Sequence, residues 1–166
     1  MKRSLLVSLL SLIIVFGFVP VSHSQYNIIE LTNNGLPDSA PRINDNGYVV
    51  WSGWDGSDWE ISLYNGTSTT QITNNALPDS TPHINNNGHV VWSGWDGSDW
   101  EIFLYDGMST TPFTDNGLTD STPQINNDGH VVWSRGDGSG REIFLYNGTS
   151  TTQLTNNRLT AVSYTH

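Results

Sequence analysis

The sequence of 166 residues contains no cysteine. Disulfide frameworks and thiolate metal sites are therefore excluded. Positive charge is also scarce, because lysine and arginine together number 6 against 16 aspartates and glutamates. Such a surface repels the phosphates of nucleic acids and the head groups of anionic membranes, so neither is expected as a partner.

Long apolar runs are absent except near the N terminus. Lys2 and Arg3 precede an apolar run over 5–19, shorter than the roughly twenty residues that span a membrane. Small residues follow at Ser22 and Ser24, so residues 1–24 are predicted to be a cleaved signal peptide. The mature chain would start at Gln25 and keep four arginines against 16 carboxylates. We therefore expect a periplasmic or secreted protein that does not insert into a membrane after cleavage.

A tandem repeat of 41 residues dominates the mature sequence. Trp51, Trp92 and Trp133 mark it, and the stretch WSGWDGSDWE occurs twice without change. Residues 33–73 and 74–114 are identical at 31 of 41 positions, and residues 74–114 and 115–155 at 28. This period suits a propeller blade but overlaps with that of helical repeats.

Turn dipeptides divide each repeat into four short segments. In the first repeat they are Asn46-Gly47, Asp55-Gly56 and Asn65-Gly66, nine or ten residues apart, and both residues of such a pair tolerate positive φ. Three hairpins joining four antiparallel strands are therefore predicted. Consecutive apolar residues in the second segment indicate a sheet covered on both faces. The predicted strands of the first repeat cover 41–44, 48–53, 59–64 and 68–73, and the proline-containing stretch 73–82 should connect to the next repeat.

This pattern predicts an all-β fold, a partial β-propeller of three four-stranded antiparallel blades. The blades would correspond to repeats 33–73, 74–114 and 115–155 within residues 25–155. Tyr26–Thr32 aligns with the outer segment of a repeat, which predicts a lone N-terminal outer strand. Residues 156–166 read as the truncated start of a fourth repeat. Either copies of the chain assemble through the open faces of the terminal blades, or the chain is a fragment of a longer array.

The recurring pattern D-S-x-P-x-I-N-x-(D/N)-G-x-V-V-W-S, followed by D-G and E-I-x-L-Y-(D/N)-G, resembles the repeat of TolB-like β-propellers. The resemblance extends from Tyr26 to Thr155. It implies a periplasmic protein that acts through protein partners. TolB itself carries a six-bladed propeller and a separate α/β domain, and this chain has no room for the second domain.

Two sets of residues are candidates for ligand binding. Trp54, Asp55, Trp95 and Asp96 lie at hairpin tips, where an aromatic face beside a carboxylate suits a sugar ring. Packing of these tryptophans on the neighbouring blade is the favoured alternative. In the third repeat, changed residues such as Arg135 and Gly140 indicate a relaxed tip.

The second candidate set occupies one position of the inner strand. Arg42, His83 and Gln124 differ between repeats and precede isoleucines that should point into the blade packing. Strand alternation then places the variable residues on the opposite face.

Other chemistry is not indicated by the residues. Asp55 with Asp58, and Asp96 with Asp99, lie in loops too short to supply the six or more ligands of calcium. The five histidines form no zinc pattern, and no nucleophile motif is present. We therefore expect no catalytic residues, no metal and no cofactor.

Three hypotheses about function follow. The first is an exported, non-catalytic scaffold that binds a protein partner, and the second is a lectin-like module that binds glycans through the hairpin tips. The third is a fragment without a function of its own. Self-association is expected through outward faces lined by residues such as Val49, Ile61, Val131 and Phe144, with two chains forming a six-bladed ring.

Overall fold

The computed structural model describes residues 26–138 and 140–157. The predicted signal peptide and residues 158–166 of the predicted fourth repeat lie outside these ranges. The described residues form twelve β-strands, and none of them belongs to a helix long and apolar enough to cross a membrane.

The strands form three four-stranded antiparallel sheets, which we call blades 1, 2 and 3. Blade 1 contains β1 (Asp38–Ile43), β2 (Val49–Trp54), β3 (Trp59–Tyr64) and β4 (Thr69–Gln71). Blade 2 contains β5 (Asp79–Ile84), β6 (Val90–Trp95), β7 (Trp100–Tyr105) and β8 (Thr110–Pro112). Blade 3 contains β9 (Asp120–Ile125), β10 (Val131–Gly136), β11 (Arg141–Tyr146) and β12 (Thr151–Gln153).

Strand order within each blade follows the sequence, so every connection inside a blade is a hairpin. The first strands of successive blades contact one another, β1 with β5 and β5 with β9. This arrangement confirms the predicted partial propeller with three four-stranded blades. The first strands are therefore the inner strands of the array.

The hairpins differ in one respect from the expected turns. Only the glycine of each dipeptide has positive φ, for example 113° at Gly56, whereas Asp55 does not. Asp55 instead accepts hydrogen bonds through Oδ1 from the backbone N–H groups of Ser57 and Asp58. A short polar side chain that bonds to the backbone ahead of it forms the same tight turn without a second left-handed residue.

Each inner strand continues through a proline, whereas the prediction starts the first inner strand at Pro41 and places Pro82 in a connection. Pro82 is buried in the middle of β5, where the pairing with β6 shifts register between Ser80 and His83. Thr81 has a φ of 51° there, and Ala40 and Thr122 repeat this conformation at the same position. A bulge tolerates the missing N–H of proline, which explains why the strand continues through it.

The hydrophobic core lies between blades. One cluster joins Val50 and Ile61 of blade 1 to Ile84, Val90 and Trp92 of blade 2, and all five are at most 5 % exposed. An equivalent cluster joins blades 2 and 3. Alternation along each second strand explains this, because Val90 and Trp92 face the preceding blade while Val91 faces the following one.

This alternation corrects the residues expected on the outward faces. Ile61, Val131 and Phe144 pack inside the two clusters or against them, and of the four only Val49 belongs to an outward face. The outward face of blade 1 presents Ile43, which is 70 % exposed, with Val49 and Trp51. Val132, Ile143 and Leu145 form the outward face of blade 3.

Tyr26–Thr32 does not form the expected outer strand. A strand needs a neighbouring ladder to satisfy its backbone groups, and none of the twelve described strands pairs with this segment. Its end nevertheless lies beside blade 1, because Leu31 and Thr32 line a cleft together with Trp51. Phe113, which occupies the repeat position of Leu31, packs edge-to-face on Trp133 with ring centroids 5.8 Å apart.

Candidate functional site

The variable inner-strand residues occupy the predicted face. His83 pairs with Val91 and therefore faces blade 3, as Val91 does. Ile84 pairs with Val90 and is therefore buried towards blade 1. Arg42 and Gln124 have the same registers in β1 and β9 and are exposed. The three side chains thus occupy one position in three adjacent inner strands.

His83 connects two of these strands. Its Nδ1 accepts a hydrogen bond from the backbone N–H of Ile125 at 3.3 Å. Burial lowers the pKa of His83, and the positive charge of Arg42 lowers it further. Because the neutral imidazole is favoured, Arg42 supplies the positive charge of this row.

A second set of inner-strand residues binds the blades to one another. Asn44 Nδ2 donates to the backbone oxygen of Asn85 at 2.9 Å, and Asn85 Nδ2 donates to that of Asn126 at 3.0 Å. Each asparagine also accepts two backbone N–H bonds within its own hairpin, as Asn85 does from Asn87 and His89. These residues are identical in the three repeats because they are structural, whereas the variable row next to them is not constrained in this way.

The tip tryptophans pack differently from the expectation. Trp54 contacts Trp59 edge-to-face with ring centroids 5.9 Å apart, and Trp95 contacts Trp100 in the same way. Trp54 and Trp59 are directly paired across β2 and β3, so the ring contact forms within one hairpin and not between blades. Asp55 and Asp96 beside them are exposed.

Trp95 also contributes to a groove. Trp95 and Asp96 line it together with Leu77 and Trp92, and its volume is about 440 Å³. The corresponding cleft of blade 1 is lined by Trp54 and Asp55 among others. The structure therefore places an aromatic ring and a carboxylate beside a concavity at both candidate tips.

Acidic residues lie close together beneath these tips, and the sequence alone indicates only some of them. Carboxylate oxygens of Asp55, Asp58 and Glu60 lie within 4.8 Å of one another, and those of Asp96, Asp99 and Glu101 repeat the arrangement. The two glutamates were missed because they lie in strands β3 and β7, outside the short loops. Burial raises the pKa of Glu60, and the charge of Asp58 adds to the effect.

Another buried carboxylate recurs at the start of the inner strand. Asp79 accepts a hydrogen bond from Trp92 Nε1 at 2.8 Å, and burial raises the pKa of Asp79 to about 6. Asp120 accepts the equivalent bond from Trp133 at 3.0 Å and also pairs with Arg135. Arg135 replaces a glycine of the other two repeats, so this ion pair belongs to the third repeat.

Comparison with known proteins shows similarity at the level of fold. No family model matches the sequence, and no curated protein matches it. TolB from Agrobacterium tumefaciens has a similar structure, with a TM-score of 0.63 and 17 % identity over 74 % of this chain and 50 % of that one. TolB from Acinetobacter baumannii gives a TM-score of 0.60 and 18 % identity over 74 % of this chain and 33 % of that one.

A third similar structure is the β-propeller domain of the Trilobed protease from Pyrococcus furiosus, whose topology is described as an open velcro. Its TM-score is 0.59, with 15 % identity over 70 % of this chain and 39 % of that domain. This chain thus covers half or less of each of these structures. The chain has a TolB-like β-propeller-repeat fold.

Proposed function

We propose that this chain is an exported, non-catalytic β-propeller array that binds a protein partner through the inner-strand row Arg42, His83 and Gln124. The observation that carries the proposal is the contrast within the inner strands. Asn44, Asn85 and Asn126 are identical, whereas the row beside them differs in every blade. Residues that vary on a constant framework are candidates for binding, because the side-chain bonds that recur between blades come from the asparagines and not from this row.

The chemistry of the row indicates what the partner presents. Arg42 is exposed and forms no ion pair within the described ranges, and its guanidinium bonds only to the backbone oxygen of Pro41. A carboxylate of the partner would pair with it, and the amide of Gln124 would take a hydrogen bond. An acidic stretch of protein fits this row on an otherwise acidic surface. Export is supported by the N-terminal sequence and by the fold shared with TolB.

The test is retention of a partner from an envelope extract. The purified chain and the triple variant Arg42→Ser, His83→Ser, Gln124→Ser are immobilised, and retained proteins are quantified by mass spectrometry. A protein retained by the wild type and lost by the triple variant would support the proposal. A control triple variant changes the exposed outer-strand residues Thr69, Thr110 and Thr151 to serine and should retain the partner. Retention of the same proteins by wild type and row variant would contradict the proposal.

Glycan binding is a second candidate, favoured by the groove of about 440 Å³ beside Trp95 and Asp96. The ring of Trp95 would stack on a sugar face while Asp96 accepts hydroxyl hydrogen bonds. A glycan array with wild type and Trp95→Ala tests this hypothesis. Met108→Ala, at another exposed hairpin, is the matched control. Glycan signals that are absent, or equal in Trp95→Ala and wild type, would eliminate the lectin hypothesis.

A further inference from the structure

We propose that the β2–β3 hairpin of blade 1 binds a calcium ion through Asp55, Asp58 and Glu60. The carboxylate oxygens of these residues lie within 4.8 Å of one another. A usual Ca–O distance is about 2.4 Å, so one ion between the three groups can contact all of them. The inference concerns the hairpin and does not depend on the partner proposed for the inner-strand row.

Buried oxygens without partners distinguish this cluster from an ordinary acidic surface. Asp58 is 8 % exposed and Glu60 is 1 % exposed. Both carboxylate oxygens of Asp58 are buried and have no hydrogen-bond partner in the described part of the chain. Whichever oxygen Asp58 contributes to the cluster is therefore unpartnered. The Glu60 carboxylate is buried as well, and the Thr73 hydroxyl interacts with it. Burying carboxylates without partners is costly, and a cation between them would offset this cost.

The hairpin is already ordered for such a role. Asp55 is fixed in its turn, where Oδ1 accepts hydrogen bonds from the backbone N–H groups of Ser57 at 2.8 Å and Asp58 at 3.1 Å. Glu60 is fixed through Oε1, which accepts the backbone N–H of Asn75 at 2.7 Å. A carboxylate has lone pairs beyond those bonds, so both groups can hold their geometry and still ligate a cation.

The surroundings of the blade 1 cluster are negative. Burial, and then the charges of Asp58 and Asp55, raise the pKa of Glu60, while burial, and then the charge of Glu60, raise the pKa of Asp79. The corresponding cluster of blade 2 is different, because Glu101 interacts electrostatically with the positively charged Arg135. Of the Asp99 carboxylate, only Oδ1 is buried without a hydrogen-bond partner in the described part of the chain, whereas both oxygens of Asp58 are. The blade 2 cluster therefore needs a cation less than that of blade 1.

The donor set selects calcium among common cations. All three ligands are carboxylates, which suit hard cations and not zinc, whose usual ligands include histidine and cysteine. Asp55 is exposed, so water can complete a coordination shell of six to eight oxygens. An open site of this kind belongs to the affinity range of extracellular modules, with a dissociation constant of about 10⁻⁴–10⁻³ M.

The first test compares thermal unfolding of the chelator-treated protein with and without calcium at a few times this concentration, roughly 5 mM. Calcium should raise the Tm of the wild type. Asp58→Asn should abolish this increase and should leave the calcium-free protein at least as stable as the wild type, because one of the repelling charges is gone. The matched control Asp99→Asn, in the blade 2 cluster, should keep most of the increase.

The second test uses terbium as a luminescent probe of calcium sites. Trp54 and Trp59 flank the cluster in sequence, so excitation of tryptophan should sensitise terbium bound there. The emission should saturate, decrease on addition of calcium, and be lost in Asp58→Asn but not in Asp99→Asn. A wild-type Tm that is the same in calcium and chelator, or a calcium response retained by Asp58→Asn, would overturn the proposal.

Discussion

Arg135 and Asp120 form a bidentate ion pair between neighbouring strands of blade 3. Nε of Arg135 donates to Oδ1 at 2.8 Å and Nη2 donates to Oδ2 at 2.9 Å, and Asp120 is completely buried. The guanidinium also lies 4.4 Å from the ring centroid of Phe144. Gly94 occupies the equivalent position of blade 2, so the third repeat replaces a glycine with a residue that neutralises a buried charge.

The first prediction concerns this ion pair. Arg135→Ala should lower the free energy of unfolding by about 3 kcal/mol, because it leaves the Asp120 carboxylate buried without its counter-ion. Arg141→Ala is the control, since Arg141 is exposed, and it should change stability by less than about 0.5 kcal/mol. Urea unfolding at neutral pH measures both values. Equal effects of the two substitutions would show that the ion pair contributes nothing.

The second prediction separates the two roles of the inner-strand asparagines. Asn85 and Asn126 accept the same pair of hairpin N–H bonds. Within the described residues, Asn85 also donates from Nδ2 to the backbone oxygen of Asn126 in the next blade, and Asn126 makes no equivalent bond. Asn85→Ala should therefore cost about 1 kcal/mol more than Asn126→Ala, the value of one hydrogen bond between blades. Urea unfolding of the two variants gives this difference directly. A larger cost for Asn126→Ala would contradict the role assigned to Asn85.

The fold was largely predictable because the same hairpin-forming dipeptide positions recur in all three repeats. Asn-Gly and Asp-Gly pairs at fixed spacing, with apolar runs such as Val49–Trp51 between them, are sufficient to predict four-stranded blades. Strand ends were less predictable. The sequence predicts an inner strand that starts at Pro41, but β1 starts at Asp38 and β5 at Asp79. A bulge with positive φ, as at Thr81, lets the strand pass through the proline, and a sequence does not show such a bulge.

The candidate site was predictable only where it depends on local sequence. The face occupied by Arg42, His83 and Gln124 follows from alternation and was predicted correctly. The partner of Trp54 did not follow, because its pairing with Trp59 depends on the hairpin register. The acidic cluster follows from the sequence only in part, because the pair Asp55 and Asp58 is visible there but only the folded hairpin brings Glu60 beside buried Asp58.

The third prediction is a dependence of stability on pH. Burial raises the pKa of Asp79 to about 6, and the charge of Glu60 contributes. Between about pH 4 and pH 6 the folded protein therefore binds more protons than the unfolded chain, so the free energy of unfolding should fall as the pH rises through this window. Urea unfolding across this range, in the presence of a chelator, measures the slope. Asp79→Asn should make the slope shallower, and an unchanged slope would contradict the assignment.

Self-association provides the last prediction, and it follows from the two different outward faces. Val132, Ile143 and Leu145 on blade 3 occupy the positions that Val50, Ile61 and Leu63 occupy on blade 1. The latter pack against Ile84, Val90 and Trp92 of blade 2, and the equivalents of those residues on blade 1 are Ile43, Val49 and Trp51. Blade 3 of one copy therefore presents the surface that blade 1 of another copy is built to cover.

We propose that the chain associates head to tail through these faces, which gives a closed ring or a filament. Light scattering at a concentration on the order of tens of micromolar should show a dimer or larger species, because an association of this kind depends on concentration. Ile143→Arg places a charge at the centre of the blade 3 face, where Ile143 is 40 % exposed, and should give a monomer. Met108→Arg is the control and should not give a monomer, because Met108 is 89 % exposed and lies at a hairpin away from both faces. A wild-type protein that remains a compact monomer would contradict this proposal. It would mean that Leu31 and its neighbours cover enough of Trp51 for the blade 1 face to need no second copy of the chain.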